Sequence, residues 1–365
     1  MEGIGRKFQL SLVITRRCNL NCVYCYEKFK SDSVMDLDTA KSAIAECLNS
    51  SGYQFVEIAL FGGEPFLEFE LLHDVCEWTW SKTWNTSYVF FIDTNGTLLD
   101  SNIKQWLVKN KQRLILGLSL DGDRKTHNTN RSDSFDLIDL DFFRKHWPKQ
   151  PVKVTISDLN LGHLAKDIVF IHKNGFRMVG CNFASGKEIM DFDDKIEVIV
   201  SQLNILIDFY LDNPNIEISP LLNYPLWKCE LKPQEPQKIC GVGENMVLID
   251  VNGEKYPCSY FSPLTIPKSL LQSFNINYSD YNLFVDNDCE KSCYIYPICR
   301  GCYGDNLVST GMINKRSYQK CMLNKIFSKA TAKLMAKKLL SKDLKDITEI
   351  DKYTIKAISQ IIEKY

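Results

Sequence analysis

Residues 15–27 read "TRRCNLNCVYCYE" and separate Cys18, Cys22 and Cys25 by three and then two intervening residues. They follow an apolar stretch of strand length, so one loop can bring three thiolates to a single metal centre. Structural zinc takes a fourth protein ligand, and no histidine lies close by in sequence. A four-iron cluster held by three thiolates leaves one iron open. That open position lets a cluster act on a bound molecule as well as carry electrons.

Other chemistry-bearing residues fall after strand-like stretches. "LFGGEP" (60–65) combines Gly62 and Gly63, which allow close backbone approach to a ligand, with Glu64, an acceptor for an ammonium group. "DTNGTLL" (93–99) contributes Asn95, and "LSLDGDRKTHNTNR" (118–131) contributes Ser119, Asp121 and Arg131. For Asp121, capping of the loop or helix start stands beside a role in positioning a ligand.

Fourteen cysteines in 365 residues is heavy use, and eight of them lie between Cys229 and Cys321. Secreted disulfide frameworks are usually shorter chains with a signal sequence, whereas clustered thiols inside reducing compartments serve metals. The start, "MEGIGRKFQLSLVIT", lacks the continuous apolar core and small-residue cleavage site of a secretory signal. Metal ligation in a cytoplasmic protein is the expectation. A formal net charge of -1, with 45% hydrophobic and 24% charged residues, gives no general argument for a nucleic-acid or membrane partner. No apolar run approaches membrane-spanning length.

The elements that must position these residues alternate in type. Strands are expected at 8–15, 55–61, 88–93, 114–120, 151–157 and 176–182, and helices near 37–49, 67–83, 101–110, 133–146, 162–173 and 192–212. Six strand–helix units imply α/β architecture with a parallel sheet, its ligands beyond the carboxyl ends of the strands. A partial (β/α)6 TIM barrel over residues 1–213 fits that count better than a full eight-fold barrel. From about 213 prolines break the rhythm. Residues 244–257 read as a β-hairpin turning at Asn252-Gly253, inside a small cysteine-rich domain with helices at 214–321. A lysine-rich helical tail, 322–365, reads as a docking helix with a solvated face or as a peptide- or partner-binding one.

The cysteine loop, "LFGGEP", "DTNGTLL" and the end of the fourth strand together resemble the radical S-adenosylmethionine (radical SAM) superfamily. The resemblance implies a [4Fe-4S] cluster on Cys18, Cys22 and Cys25, and S-adenosylmethionine (AdoMet) on its open iron. It places Tyr24 beside the adenine, Gly62, Gly63 and Glu64 at the methionine amino group, and Asn95 on the cofactor side. Ser119 falls near the ribose or methionine carboxylate, and Arg131 is a carboxylate partner. The reduced cluster would cleave AdoMet to a 5′-deoxyadenosyl radical that takes hydrogen from an unactivated carbon.

Downstream, Cys240, Gly253, Cys258, then Cys289, Cys293, Cys299 and Cys302, then Cys321 resemble the seven-cysteine SPASM extension. With Cys229 they imply two further [4Fe-4S] clusters, three in all. The crossed pairing of that family puts Cys229, Cys240, Cys258 and Cys302 on Auxiliary I, and Cys289, Cys293, Cys299 and Cys321 on Auxiliary II. Two departures stand out. The central spacing is three, five, two where the family has two, five, three, and Cys229 lies farther ahead of Cys240 than its counterpart, across "KPQEPQ". A pair of zinc knuckles is the alternative for the set. Cys47 and Cys76 fall on apolar helix faces as packing residues, and Cys181 ends the sixth strand facing the expected cavity.

Fully ligated auxiliary clusters suit uptake of the electron that a substrate radical must lose. In sulfatase-maturing members an aspartate follows the post-hairpin cysteine and acts as base. Here "YPCSYF" puts Ser259 there, a hydroxyl too weakly basic for that task, so formylglycine chemistry is not expected. Tyr260 beside it either packs or gates protons and electrons. The expected activity is a radical SAM/SPASM oxidoreductase that matures a ribosomally made precursor peptide (a RiPP) through a thioether or carbon–carbon cross-link. A radical SAM dehydrogenase of a small molecule, an amino-sugar or alcohol, is the alternative, and a non-catalytic electron relay is a third. Expected partners are the precursor peptide, a flavodoxin or ferredoxin as electron donor, and a separate leader-peptide-binding protein. Because the first strand is expected almost at once, leader binding is expected to come from the barrel edge, the C-terminal tail or a separate protein. No residue is singled out as the catalytic acid or base.

Overall fold

The computed structural model describes residues 7–50, 52–186, 189–231 and 238–365. The "KPQEPQ" stretch between Cys229 and Cys240 lies outside them. Eight strands form one sheet: β1 (Lys7–Thr15), β2 (Phe55–Gly62), β3 (Ser87–Thr94), β4 (Leu114–Ser119), β5 (Val152–Ile156), β6 (Val179–Phe183), β7 (Met246–Ile249) and β8 (Lys255–Tyr256). Their order is β6-β5-β4-β3-β2-β1-β7-β8. The helices are α1 (Leu37–Leu48), α2 (Phe69–Trp80), α3 (Ser101–Lys109), α4 (Arg124–Asn130), α5 (Leu140–His146), α6 (Leu164–Lys173) and α7 (Phe192–Asp212). Then come α8 (Lys268–Ser273), α9 (Asn287–Ser292), α10 (Tyr303–Thr310), α11 (Tyr318–Leu340) and α12 (Glu349–Lys364).

The expected architecture holds. Strands β1 to β4 pair in parallel with their sequence neighbours, in registers such as Leu10↔Ile58 and Ile92↔Leu116. Each returns through a helix, as a parallel crossover requires. The result is the α/β sheet of a partial barrel, followed by a helical, cysteine-rich region resembling a SPASM domain. No helix among the described residues is long and apolar enough to cross a membrane.

Three differences from the sequence expectation have local causes. The stretch 133–146 is a short 3-10 turn at Phe135–Leu137 followed by α5, because Ile138 is extended and Asp139 caps a new helix by accepting from Phe142 N. Helix α4 was not expected, since "RKTHNTN" has no apolar periodicity; Asp123 caps it by accepting from Thr126 N. The hairpin does turn at Gly253, φ +80°, but β7 lies parallel to β1, Leu10 opposite Val247. Its apolar "MVLI" takes up the free edge of β1.

The chain divides into two compact units, 1–153 with 241–279, and 154–240 with 280–365. In the first, Leu10, Leu12, Ile58, Leu60, Phe90, Ile92, Leu116 and Leu118 are buried. Each such side chain contributes about 1.5–3 kcal/mol relative to exposure. Phe90 meets Trp80 of α2 with ring centroids 5.9 Å apart, so Phe91 and Asp93, pointing the other way, lie on the face away from the helices. In the second unit α11 runs beside α7, with Lys333 Nζ donating to Asn204 Oδ1 at 2.7 Å, and Phe327 meets Phe183 at 5.5 Å.

Candidate active site at the cysteine loop

The loop after β1 carries no regular structure, so its shape depends on neighbours. At its base Arg16 is paired with buried Asp250 and Arg17 with Glu68. Cys25 N donates to Cys22 O at 3.1 Å, closing a turn that gathers the thiols. Val23 N donates to Asn130 O at 3.0 Å and Asn21 N to Ser132 Oγ at 2.9 Å, which ties the loop to the segment after β4. Cys18, Cys22 and Cys25 are free thiols, and burial pushes all three above the ordinary thiol range.

Gly62 and Gly63 serve this loop directly. Gly62 has φ +132°, and a β-carbon there would stand 2.1 Å from Thr15 O; one at Gly63 would stand 2.0 Å from Arg17 O. Gly63 N donates to Thr15 O at 3.0 Å and Glu64 N to Arg17 O at 2.9 Å. The close backbone approach expected of this pair is therefore made to the chain itself. It seats the loop after β2 against the cysteine loop.

Glu64 then points inward. It is 1% exposed, accepts from Thr94 Oγ1 at 2.8 Å, Asn95 N at 2.8 Å and Phe66 N at 3.2 Å, and pairs with no cation among the described residues. Burial lifts its carboxyl to about 7, against the pull of those donors. Asn95 Nδ2 donates to Asn19 Oδ1 at 2.9 Å, so the end of β3 also grips the cysteine loop.

Tyr24, Asp121 and Arg131 form a second buried group. The Tyr24 hydroxyl donates to Asp121 Oδ2, Arg131 Nη2 donates to Asp121 Oδ1 at 3.2 Å, and the guanidinium lies 5.3 Å from the centre of the Tyr24 ring. Arg131 is close enough to Cys22 to favour its thiolate. The carboxylate that Arg131 meets here is Asp121. Ser119 ends β4 half-buried, opposite Lys153 of β5.

Several residues of this region carried no sequence signal. Tyr26 is hydrogen-bonded to Ser259 and stacks on Tyr260, centroids 6.2 Å apart at 2°. Glu27 is buried, which lifts its carboxyl to about 7. His127 is fully buried, with Nε2 3.1 Å from Ser134 Oγ. Asp93 is paired with Lys153.

In the second unit Cys289, Cys293 and Cys321 all raise Cys299 electrostatically, so these four thiols share one neighbourhood. Burial brings Cys289 to about 11 and Cys299 to about 12. Cys302 is within electrostatic reach of Cys240. Cys229 reaches Cys293 and lines a cavity of about 460 Å³ with it. The set expected for the first auxiliary cluster is Cys229 with Cys240, Cys258 and Cys302, and of these the pair Cys240 and Cys302 is within mutual electrostatic reach. The 3-10 turn Leu226–Glu230 that carries Cys229 is anchored by Tyr294, whose hydroxyl donates to Glu230. Cys181 does face a cavity, of about 310 Å³, lined also by Tyr224, Arg300, Cys302 and Lys320. Cys76 is fully buried and Cys47 half-buried.

Residues 12–138 match the family model of the radical SAM superfamily. That segment, about a third of the chain, carries the radical SAM signature and makes this chain a relative of that superfamily. This radical SAM enzyme is 22% identical over 329 residues to the cysteine-type anaerobic sulfatase-maturating enzyme of Clostridium perfringens, covering 80% of this chain and 88% of the relative. Its fold resembles that of native anSMEcpe with bound AdoMet and Kp18Cys peptide, with a TM-score of 0.71 at 20% identity, covering 90% of this chain and 98% of that one. It also resembles Streptococcus suis SuiB bound to precursor peptide SuiA, with a TM-score of 0.58 at 18% identity over 86% and 75% of the two chains. Radical SAM enzymes with SPASM regions use AdoMet and iron–sulfur clusters.

No group of three or more His, Cys, Asp or Glu among the described residues is drawn up to metal-binding distance. The donor set nonetheless fits the cofactors. Three unpaired thiols share one pinned loop, and their raised affinity for protons is what a cationic cluster would offset. A buried carboxylate without a cation stands in the loop after β2, where the amino group of AdoMet would offset its charge.

Proposed function

We propose that this radical SAM enzyme is an oxidoreductase that modifies a side chain within a bound peptide. Whole-chain fold likeness to anSMEcpe, which holds AdoMet and a peptide, carries that reading. The likeness extends over more of the partner chain than the likeness to SuiB does, 98% against 75%, which favours a sulfatase-type oxidation of cysteine or serine. Ser259, in place of an aspartate, supports the second reading, cross-linking of a ribosomal precursor peptide.

Residues take the following roles in this proposal. Cys18, Cys22 and Cys25 would ligate the AdoMet-binding cluster. Glu64 would accept hydrogen bonds from the methionine ammonium, and Tyr24, Asn95, Ser119 and Arg131 would shape the rest of the AdoMet site. Two auxiliary clusters would be held by Cys240, Cys258 and Cys302 with Cys229, and by Cys289, Cys293, Cys299 and Cys321. The barrel segment 1–213, the cluster-bearing segment 214–321 and the helical tail 322–365 divide these tasks. AdoMet and a reduced cluster held by these residues would supply the radical chemistry that removes a hydrogen atom from an unactivated substrate carbon. A flavodoxin or ferredoxin would supply the electron in the cytoplasm, and a separate protein would present any leader sequence.

The test is anaerobic incubation of reconstituted enzyme with AdoMet, reductant and the Kp18Cys peptide or its serine version. Sulfatase-type oxidation gives 5′-deoxyadenosine and an aldehyde that reacts with hydroxylamine. A precursor peptide encoded beside the gene that loses two hydrogens without gaining an aldehyde would establish cross-linking instead. Absence of both products would reject a peptide substrate.

A further inference from the structure

Peptide oxidation requires a base, and Ser259 cannot be one. The atoms that leave the substrate are a carbon-bound hydrogen, a proton from the adjacent thiol, hydroxyl or amide, and one electron. A carboxylate near residue 259 would receive the proton. Ser259 is hydrogen-bonded to Tyr26, and Tyr26 is in turn within electrostatic reach of Asp93. All three belong to the first compact unit.

Asp93 has the environment of a working group. It lies at the carboxyl end of β3, on the face away from the helices, where such sheets hold their ligands. One oxygen, Oδ2, is paired with Lys153 Nζ. The other, Oδ1, is buried without a hydrogen-bond partner among the described residues. It rests over Gly117, where any β-carbon would stand 2.3 Å from it. The side chain is 25% exposed and that of Lys153 is 45% exposed, so the pair is open on one side. The Lys153 ammonium is further fixed over the Phe91 ring at 5.3 Å. Burial raises the Asp93 carboxyl above the ordinary range, with Lys153 opposing that rise, which suits a proton acceptor better than an exposed aspartate.

Resting on the peptide reading above, we propose that Asp93, steadied by Lys153, is the base that takes the substrate proton, in the role that residue 259 cannot fill. For a cysteine side chain the balance is complete. The C–H bond breaks, and its hydrogen ends in 5′-deoxyadenosine. The S–H proton passes to the Asp93 carboxylate. One electron passes to an oxidised iron–sulfur cluster, and a carbon–sulfur double bond forms. Lys153 holds the carboxylate in place through their ion pair.

The test uses reconstituted full-length enzyme, AdoMet, reductant and the Kp18Cys peptide, or the neighbour-encoded peptide if that is the one modified. Asp93→Asn should lower product formation by about 100-fold or more while 5′-deoxyadenosine formation stays within about threefold of wild type. Affinity of cluster-free protein for the same peptide, read by fluorescence anisotropy, should change by less than about twofold, since a base adds little to ground-state binding. Adding Ser259→Asp to Asp93→Asn should restore product, because a carboxylate would then stand at the position hydrogen-bonded to Tyr26. A purely structural Asp93 would not be rescued that way. Wild-type product with undiminished product from Asp93→Asn overturns the assignment. So does a parallel loss of product, 5′-deoxyadenosine and peptide affinity that Ser259→Asp fails to repair. If wild type modifies neither peptide, the peptide reading falls and takes this inference with it.

Discussion

Gly63 lies against Arg17 so closely that a β-carbon would stand 2.0 Å from the arginine carbonyl oxygen and 3.0 Å from the β-carbon of Cys18. Arg17 is anchored at its backbone and its side chain. Arg17 O accepts from Glu64 N at 2.9 Å, and the Arg17 side chain is held by Glu68. Gly63→Ala must therefore push the two loops apart, at a cost of about 1–3 kcal/mol or more. The expected outcome is loss of AdoMet cleavage with iron at the auxiliary sites retained. Iron analysis, paired with the spectrum of the reduced protein, checks it. A variant that keeps the first cluster and cleaves AdoMet normally would show that the loops have room to separate.

Glu64 separates two effects that a single substitution usually confuses. Its three donors, Thr94 Oγ1, Asn95 N and Phe66 N, belong to the protein, whereas its charge has no protein partner among the described residues. Glu64→Gln keeps the shape but turns an NH2 toward a site built to donate, which costs about 1–3 kcal/mol of stability. Loss of the charge should weaken AdoMet binding by about 10- to 100-fold, since hydrogen bonds to charged groups contribute about 1.5–3 kcal/mol. Urea unfolding without AdoMet measures the first term, and equilibrium dialysis measures the second. Unchanged dialysis alongside lowered stability would leave Glu64 a purely structural acid.

Within the buried group of Tyr24, Asp121 and Arg131, removing different partners should have unequal costs. Tyr24→Phe removes one donor from Asp121 and should cost about 1–3 kcal/mol. Asp121→Asn leaves the Arg131 guanidinium, whose side chain is 8% exposed, without its counter-charge, at about 3–5 kcal/mol. Adding Arg131→Met to Asp121→Asn should recover part of that loss, because the uncompensated charge is gone. Equal unfolding midpoints for Tyr24→Phe and Asp121→Asn would mean that solvent reaches the arginine.

Much of this arrangement was legible before any coordinates, and what was not shares one physical trait. Periodicity located α7 at 192–212, and Asn252-Gly253 located the hairpin turn, because both signals are local. The cysteine spacing and the glycines after β2 were also local signals, and both stretches fold as loops that follow β1 and β2 and hydrogen-bond to each other. Long-range partners were not legible. Lys153 is sixty positions from Asp93, and only the closure of β3, β4 and β5 brings them onto one face. Strand β7 has the pattern of any apolar hairpin strand, and nothing in it specifies the edge of β1. The grouping of Cys229 with Cys293 likewise depends on how the turn at Leu226–Glu230 is held, which spacing does not encode.

His127 gives the fold a dependence on acid that can be assigned to one residue. It is fully buried, Nδ1 accepts from Asp121 N at 3.4 Å, and Nε2 lies 3.1 Å from Ser134 Oγ. Burial, reinforced by Arg131 and opposed by Asp121, lowers its pKa from 6.5 to about 4. Between those values the unfolded chain holds the proton and the folded chain does not, so stability rises with pH. The contribution is complete above pH 6.5 and is lost as pH falls toward 4, by about 3 kcal/mol in total. Anaerobic urea unfolding of cluster-free protein at pH 7.5 and 5.0 reads this slope. In His127→Gln, which keeps a polar side chain without a titrating ring, the drop between the two pH values should shrink by about 2 kcal/mol. An identical drop in wild type and variant would place the acid sensitivity elsewhere, and the imidazole would have to be protonated or exposed in the folded chain.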